Sequence, residues 1–238
     1  MAKSTYKRIL LKVSGEALSG DQSFGINPEF LGKVAAQIGE VTKAGIAVAI
    51  VTGGGNIFRG MSAAAEGADR VTADMMGTLG TIINSLALSS ALTRAGIKSK
   101  VFSAITMPSI ADSYTARAAK AALEEGYVVV LGGGIANPFF TTDTAAALRA
   151  IELDCDVVLK GTNVDGVYSE DPKKNPKAQR YDTISHDEVI ARNLKVMDTA
   201  AFALARENRL PIIVGSAHGP GAITAILTGR ARATRVVP

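Results

Sequence analysis

A chain of 238 residues with 47% hydrophobic and 20% charged residues has the apolar content for a large core, which excludes disordered, collagen-like and low-complexity classes. One cysteine, Cys155, and only two histidines, His186 and His218, exclude an intramolecular disulfide framework and a Cys/His zinc cluster. The formal charge of +4 arises entirely beyond residue 171, in clusters such as Lys173, Lys174, Lys177 and Arg180 or Arg230, Arg232 and Arg235; with few aromatics between them these read as a solvated basic surface, with no nucleic acid required.

The first apolar run, Ile9 to Val13, is interrupted by Lys12 and is too short for a signal or a membrane-spanning helix, so a cytoplasmic protein without membrane partners is expected. In chain order, short Val- and Ile-rich runs predict strands over 7–13, 46–51, 100–103, 127–131, 157–160 and 212–214. Between them the composition predicts helices over 28–43, where Asn27 and Pro28 form a start signal, over 73–94, over 115–125 and over 144–153. The polar stretch 169–182 reads as a loop or a small protruding hairpin and marks where a second lobe would begin. Beyond it, Ser185 and Glu188 have capping-box spacing, and a further helix fits 196–207. Strands alternating with helices predict an α/β fold with a mostly parallel sheet covered on both faces.

The functional signal lies at the strand ends. Four strands run into glycine: Ser14-Gly15, Gly53-Gly54-Gly55, Gly132-Gly133-Gly134 and Gly161-Thr162. Ligands of open α/β sheets bind outside the carboxyl ends of the strands, and glycine there lets backbone N–H groups approach an anion. A polyphosphate site is therefore expected, although neither the P-loop nor the dinucleotide fingerprint is present. Cations stand beside these glycines: Lys12, Arg59 and Lys160 either meet the anion or reach solvent from strand termini. Asp143 reads as an acid at a helix N-terminus or as an organiser of the lysines.

Taken together, the segments Lys12-Val13-Ser14-Gly15-Glu16-Ala17-Leu18, Gly53-Gly54-Gly55-Asn56-Ile57-Phe58-Arg59-Gly60, Asp112-Ser113-Tyr114, Asn137-Pro138-Phe139-Phe140-Thr141-Thr142-Asp143, Val164-Asp165-Gly166-Val167-Tyr168 through Asp171-Pro172, and Leu194-Lys195-Val196-Met197-Asp198 resemble the bacterial uridylate kinases of the amino-acid-kinase fold. The likeness runs along essentially the whole chain. It implies a three-layer αβα sandwich in a single domain, 1–238, with an acceptor-binding part over about 1–155 and an ATP-binding part over about 156–238. It also implies a homohexamer that transfers the γ-phosphoryl group of ATP to UMP, with Mg²⁺ on the ATP phosphates and no protein metal site.

By this resemblance Lys12, Arg59, Asp143 and Lys160 carry the chemistry. ATP is expected on Lys12, Val13, Ser14, Gly15, Gly55, Arg59, Thr162, Asn163, Tyr168 and Asp171. UMP is expected on Gly54, Asp74, Ile135, Ala136, Asn137, Pro138, Phe139, Phe140, Thr141 and Thr142. Activation by GTP and inhibition by UTP are implied too, with Gly20, Asp21, Gln22, Ser23, Phe24 and Gly25 in the effector region. The nucleophile belongs to the acceptor, so Asp143 is expected to organise rather than to take a proton.

Overall fold

The computed structural model describes residues 5–58 and 67–238. Among these, nine strands form one sheet: β1 (Arg8–Val13), β2 (Ala47–Thr52), β3 (Ser99–Ser103), β4 (Asp112–Ser113), β5 (Val128–Gly132), β6 (Val157–Thr162), β9 (Thr183–Ser185), β10 (Ile212–Ser216) and β11 (Ala233–Val237). Their order is β4-β3-β5-β2-β1-β6-β10-β11-β9, and every neighbouring pair is parallel except β10 with β11. Two short strands, β7 (Val167–Tyr168) and β8 (Arg180–Tyr181), pair apart from the sheet, so the 169–182 stretch forms the loop and the second strand of a small hairpin.

Alternation along β1 divides the core. Leu10 faces a layer built from α4 (Ala116–Glu124), α5 (Thr142–Glu152), α6 (His186–Ala191) and α7 (Thr199–Glu207), where Ala122, Ala146, Val189 and Phe202 pack. Ile9 and Leu11 face the other layer, formed by α2 (Pro28–Lys43), α3 (Arg70–Arg94) and α8 (Ala222–Leu227), where Val34, Ile38, Leu88 and Ile226 pack. A strand buried on both faces must read as a continuous apolar run, which is why β1, β2, β5 and β6 were visible in the sequence.

Capping sets several boundaries differently from the composition. Helix α5 begins at Thr142, two residues earlier than expected, because the Thr141 hydroxyl accepts from Asp143 N at 3.0 Å. Helix α3 begins at Arg70 under an Asp69 cap, and α7 begins only at Thr199 because Asp198 caps it through Ala201 N at 2.9 Å. Ser185 caps α6 as its spacing implied, but the Glu188 carboxylate pairs with Arg192 at 2.7 Å. Helix α3 has the length and hydropathy of a membrane span, yet one face is packed on the sheet and carries buried Thr81, Asn84 and Ser85. It is a core helix.

Candidate active site

Parallel pairing puts the C-terminal ends of β1, β2 and β6 side by side, and a cleft of about 830 Å³ opens there. Its β1 and β2 side is formed by Lys12, Ser14 and Gly15 with Gly53, Gly54 and Gly55; its far side is formed by Lys160, Gly161, Thr162 and Asn163 with Tyr168 and Asp171 of the hairpin. Val13 is buried behind them in β1. Three of the four glycine turns therefore meet in one place. The fourth, Gly132 to Gly134, is a correction: Gly133 N donates to Thr81 Oγ1 at 2.8 Å, and this turn packs on α3 and Ala104 instead of lining the cleft.

The β1 and β2 turns are glycine because the two backbones touch. A Cβ on Gly53 would stand 2.6 Å from Gly15 N, and one on Gly15 would stand 2.7 Å from Gly55 N. A methyl group at either position would push the strand ends apart. Ser14 serves the same turn by capping the short helix α1 (Gly15–Leu18), its Oγ accepting from Ala17 N at 3.2 Å.

On the floor of the site Asp143 lies between two lysines. Lys12 Nζ is 2.8 Å from Oδ1 and Lys160 Nζ is 2.6 Å from Oδ2, with Lys160 also donating to Val196 O. Lys12 reaches this position from the paired register with Lys160 on the adjacent strand. Burial alone would raise the Asp143 pKa, but the two ammonium charges outweigh it and hold the carboxyl below its ordinary value. Burial lowers the Lys160 pKa, assisted by the Lys12 charge and opposed by Asp143. Two ammonium groups on one carboxylate leave one positive charge in excess in a nearly dry place, and an anion entering the cleft would balance it.

The expected acceptor residues are gathered less completely. Asp74 Oδ2 accepts from Phe139 N at 2.8 Å and from Arg70 Nε at 2.8 Å, so α3 and the 135–142 segment are joined across 65 residues. Ala136 and Phe139 both adopt left-handed backbone, and Asn137 Nδ2 folds back on Ile135 O. Of this group Gly54 and Thr142 line the cleft, whereas Ile135, Ala136, Asn137, Pro138, Phe139, Phe140 and Thr141 lie beside it, with Phe139 and Phe140 exposed. Arg59 lies outside the described residues.

The other expected contacts hold specific bonds. Thr162 Oγ1 is turned onto Val164 at 2.7 Å, Asn163 Oδ1 meets His218 Nε2 at 2.7 Å, Tyr168 OH donates to Asp165 at 2.5 Å, and Asp171 accepts from Lys173 N at 3.0 Å. Gly20, Asp21, Gln22, Ser23 and Phe24 form an exposed loop that ends at Gly25, whose N donates to Asn56 O at 2.9 Å. The basic C-terminal third is not only a remote surface, since Lys174, Arg192 and Lys195 stand on the rim of the cleft. Their spacing carried no signal for this, because the hairpin and the α6–α7 connection bring them there. Sequence reasoning met Asp198 only as the end of the 194–198 segment and gave it no role; it accepts from Thr144 Oγ1 at 2.8 Å and from Thr141 Oγ1.

The cleft is lined by Lys12, Lys160 and the strand-end glycines, with Glu16, Glu170 and Asp171 apart on its walls. Among the described residues no cluster of three or more His, Cys, Asp or Glu has the geometry to hold a metal, and Asp143 is already committed to two lysines. Such a surface fits a divalent ion carried on a ligand's phosphates rather than one caged by the protein.

The family model of the amino acid kinases matches residues 7–216. The chain belongs to this family. It is 55% identical over 234 residues to the uridylate kinase of Brucella anthropi, spanning 98% of each chain. Among solved structures, UMP kinase from Bacillus anthracis superposes with a TM-score of 0.93 at 41% identity, over 98% of this chain and 96% of that one. UMP kinase from Ureaplasma parvum superposes with a TM-score of 0.92 at 39% identity, over 98% and 99%. The resemblance read from the strand-end motifs is thus borne out, as is the α/β amino-acid-kinase fold, and the chain is a kinase.

Proposed function

We propose that this kinase transfers the γ-phosphoryl group of ATP to UMP, giving UDP and ADP as a step of pyrimidine nucleotide synthesis. The observation that carries the reading is the Lys12–Asp143–Lys160 cluster beneath strand-end glycines, in a chain so close to uridylate kinases over its whole length.

An oxygen of the UMP phosphate attacks the γ-phosphorus; the bond from that phosphorus to the β–γ bridging oxygen breaks, and its electron pair leaves with ADP. Because the attacking phosphate is already anionic, no general base is needed, and Asp143, flanked by two cations, holds the lysines rather than taking a proton. Lys12 and Lys160 meet charge on the transferred group, while the Gly15 and Gly55 turns line the place the phosphates would take. Mg²⁺ held by the ATP phosphates, next to this lysine-rich floor, would neutralise charge between them. Thr162, Asn163, Tyr168 and Asp171 take the adenosine end, with Lys174 and Lys195 near it on the rim. Gly54, Asp74 and the 135–142 segment take UMP, and Arg59 meets the transferred group beside the ATP phosphates.

Regulation and assembly belong to the same reading. The exposed 20–25 loop is bonded through Gly25 to the glycine turn after β2, which supports a route for GTP activation and UTP inhibition. Met76, Leu79 and Ile83, exposed on the outer face of α3, support self-association, which this reading takes to be the homohexamer. The lone, buried Cys155, whose thiol burial pushes up to about 12, is suited to a reducing cytoplasm.

A coupled assay with MgATP and UMP, with and without GTP and UTP, tests the reaction and its regulation. UDP formation with a response to both effectors is expected. Preference for a carboxylate or carbamate acceptor, or no turnover of UMP, would overturn the reading.

A further inference from the structure

Two buried amides stand behind the cleft and take no part in the chemistry above. Asn56 ends the glycine turn after β2 and is 2% exposed; Asn84, in the middle of α3, is fully buried. Their side chains pair reciprocally, Asn84 Nδ2 donating to Asn56 Oδ1 at 2.6 Å and Asn56 Nδ2 donating to Asn84 Oδ1 at 3.1 Å. The remaining hydrogens go to backbone: Asn84 Nδ2 donates to Gly53 O at 2.6 Å and Asn56 Nδ2 to Gly25 O at 2.7 Å. Every amide hydrogen of the pair is therefore used, and each amide orientation is fixed by a carbonyl that can only accept.

We propose that Asn84, acting with Asn56, is a positioning residue that sets the Gly53–Gly55 backbone against the transferred phosphate. The inference rests on the phosphoryl-transfer reading of the cleft. Its geometric basis is that the pair touches both glycine turns: a Cβ on Gly15 would stand 2.6 Å from Asn56 Oδ1, and Gly53 O is gripped directly. Asn84 belongs to a polar face of α3 turned towards the sheet. There Thr81 takes Gly133 N at 2.8 Å, and Ser85 Oγ lies 3.1 Å from Thr52 Oγ1. A core helix needing only packing would carry aliphatic residues at these positions, as it does at Leu88 and Leu92. Polar groups here place strand ends at specified distances from the helix, which apolar contacts do not. The side of the cleft they place is that of Gly53, Gly54 and Gly55, away from the expected adenosine residues on β6 and the hairpin.

Steady-state kinetics of Asn56→Ala, Asn84→Ala and Asn84→Ser, varying ATP and UMP separately, test the proposal. The expected result is a fall in kcat of about tenfold to 10²-fold, the cost of a displacement near 1 Å, with KM for ATP changed less than about twofold. The Asn56→Ala/Asn84→Ala double variant should lose no more than either single variant, since the two act as a unit. Hydrogen exchange at Gly53–Gly55 should quicken in Asn84→Ser while exchange in β10 stays unchanged. Wild-type kcat in both Asn84 variants, or a loss shared by both substrates in step with melting temperature, would overturn the positioning role. A wild-type enzyme that forms no UDP overturns the functional reading instead; unchanged exchange at Gly53–Gly55 in Asn84→Ser overturns the positioning role in either case.

Discussion

Asp143 is held where a single buried carboxylate would be costly and two buried ammonium groups would be costlier. The three together are tolerable, and their surplus positive charge is what a phosphate would satisfy. Removing the carboxylate charge leaves the lysines facing each other, so Asp143→Asn is expected to lose about 3–5 kcal/mol of stability at neutral pH, read by urea denaturation. The folded carboxyl titrates below the 3.8 of an ordinary aspartate. Its contribution is therefore complete above about pH 5 and lost as pH falls through the folded value, so the gap between wild type and Asp143→Asn should narrow in acid. Lys12→Ala should lower kcat by about 10²–10³-fold with little change in either KM, because the ammonium group acts on charge that develops during transfer. A raised KM with near-normal turnover would contradict that role. Lys12 and Lys160 were legible in the sequence because a lysine at the end of an apolar strand is a local anomaly. Asn84 and Asp198 were not, because their partners lie 28 to 57 residues away, and neither a lone polar residue within a helix nor one at a helix cap gives a sign of them.

At the scale of elements, the site depends on how helix ends are fixed to strand ends. Asp198 caps α7 through Ala201 N, and its two oxygens also take the hydroxyls of Thr141 and Thr144 at the head of α5. One carboxylate thus sets the height of the turn that carries Asp143. Asp198→Ala should cost about 1–2 kcal/mol for the cap alone, measured as a lowered melting temperature. It should also lower kcat more than a cap variant elsewhere, such as Thr115→Ala on α4, which touches nothing in the cleft. The central strands and long helices could be read from apolar runs and caps. The edge strands β4 and β9 could not, being only two and three residues long, and neither could their neighbour in the sheet β11, which mixes Thr and Arg with valine. Its alternating burial, with Thr234 and Val236 inside and Arg235 outside, is the period-two signal that would have revealed it. The C-terminal cations on the cleft rim were illegible for a related reason, since a hairpin tip is placed by tertiary contacts and not by its own pattern.

For the whole molecule, the unresolved demand is the outer face of α3. Met76, Leu79, Ile83 and Leu86 follow one another at spacings of three and four and are 46%, 47%, 47% and 37% exposed, directly opposite the face that grips the glycine turns. Such a stripe matches the seam by which two helices pack, and its spacing is that of a left-handed helix pair. A second copy of the chain offering the same face would cover it with an isologous contact, the usual first step of a closed assembly. Sedimentation of the wild-type protein at micromolar concentration should therefore give a multiple of the 24.6 kDa chain mass. The Leu79→Glu/Ile83→Glu variant should give a smaller species, because each carboxylate would be buried unpaired at the contact. Circular dichroism should remain that of the folded chain, since both side chains point away from the sheet. A wild-type monomer, or a variant with undiminished mass, would rule out this face as the contact. Because Asn84 lies on the same helix as Leu79 and Ile83, dissociation should also alter turnover, and kcat measured across the concentration range of dissociation should fall as the assembly separates.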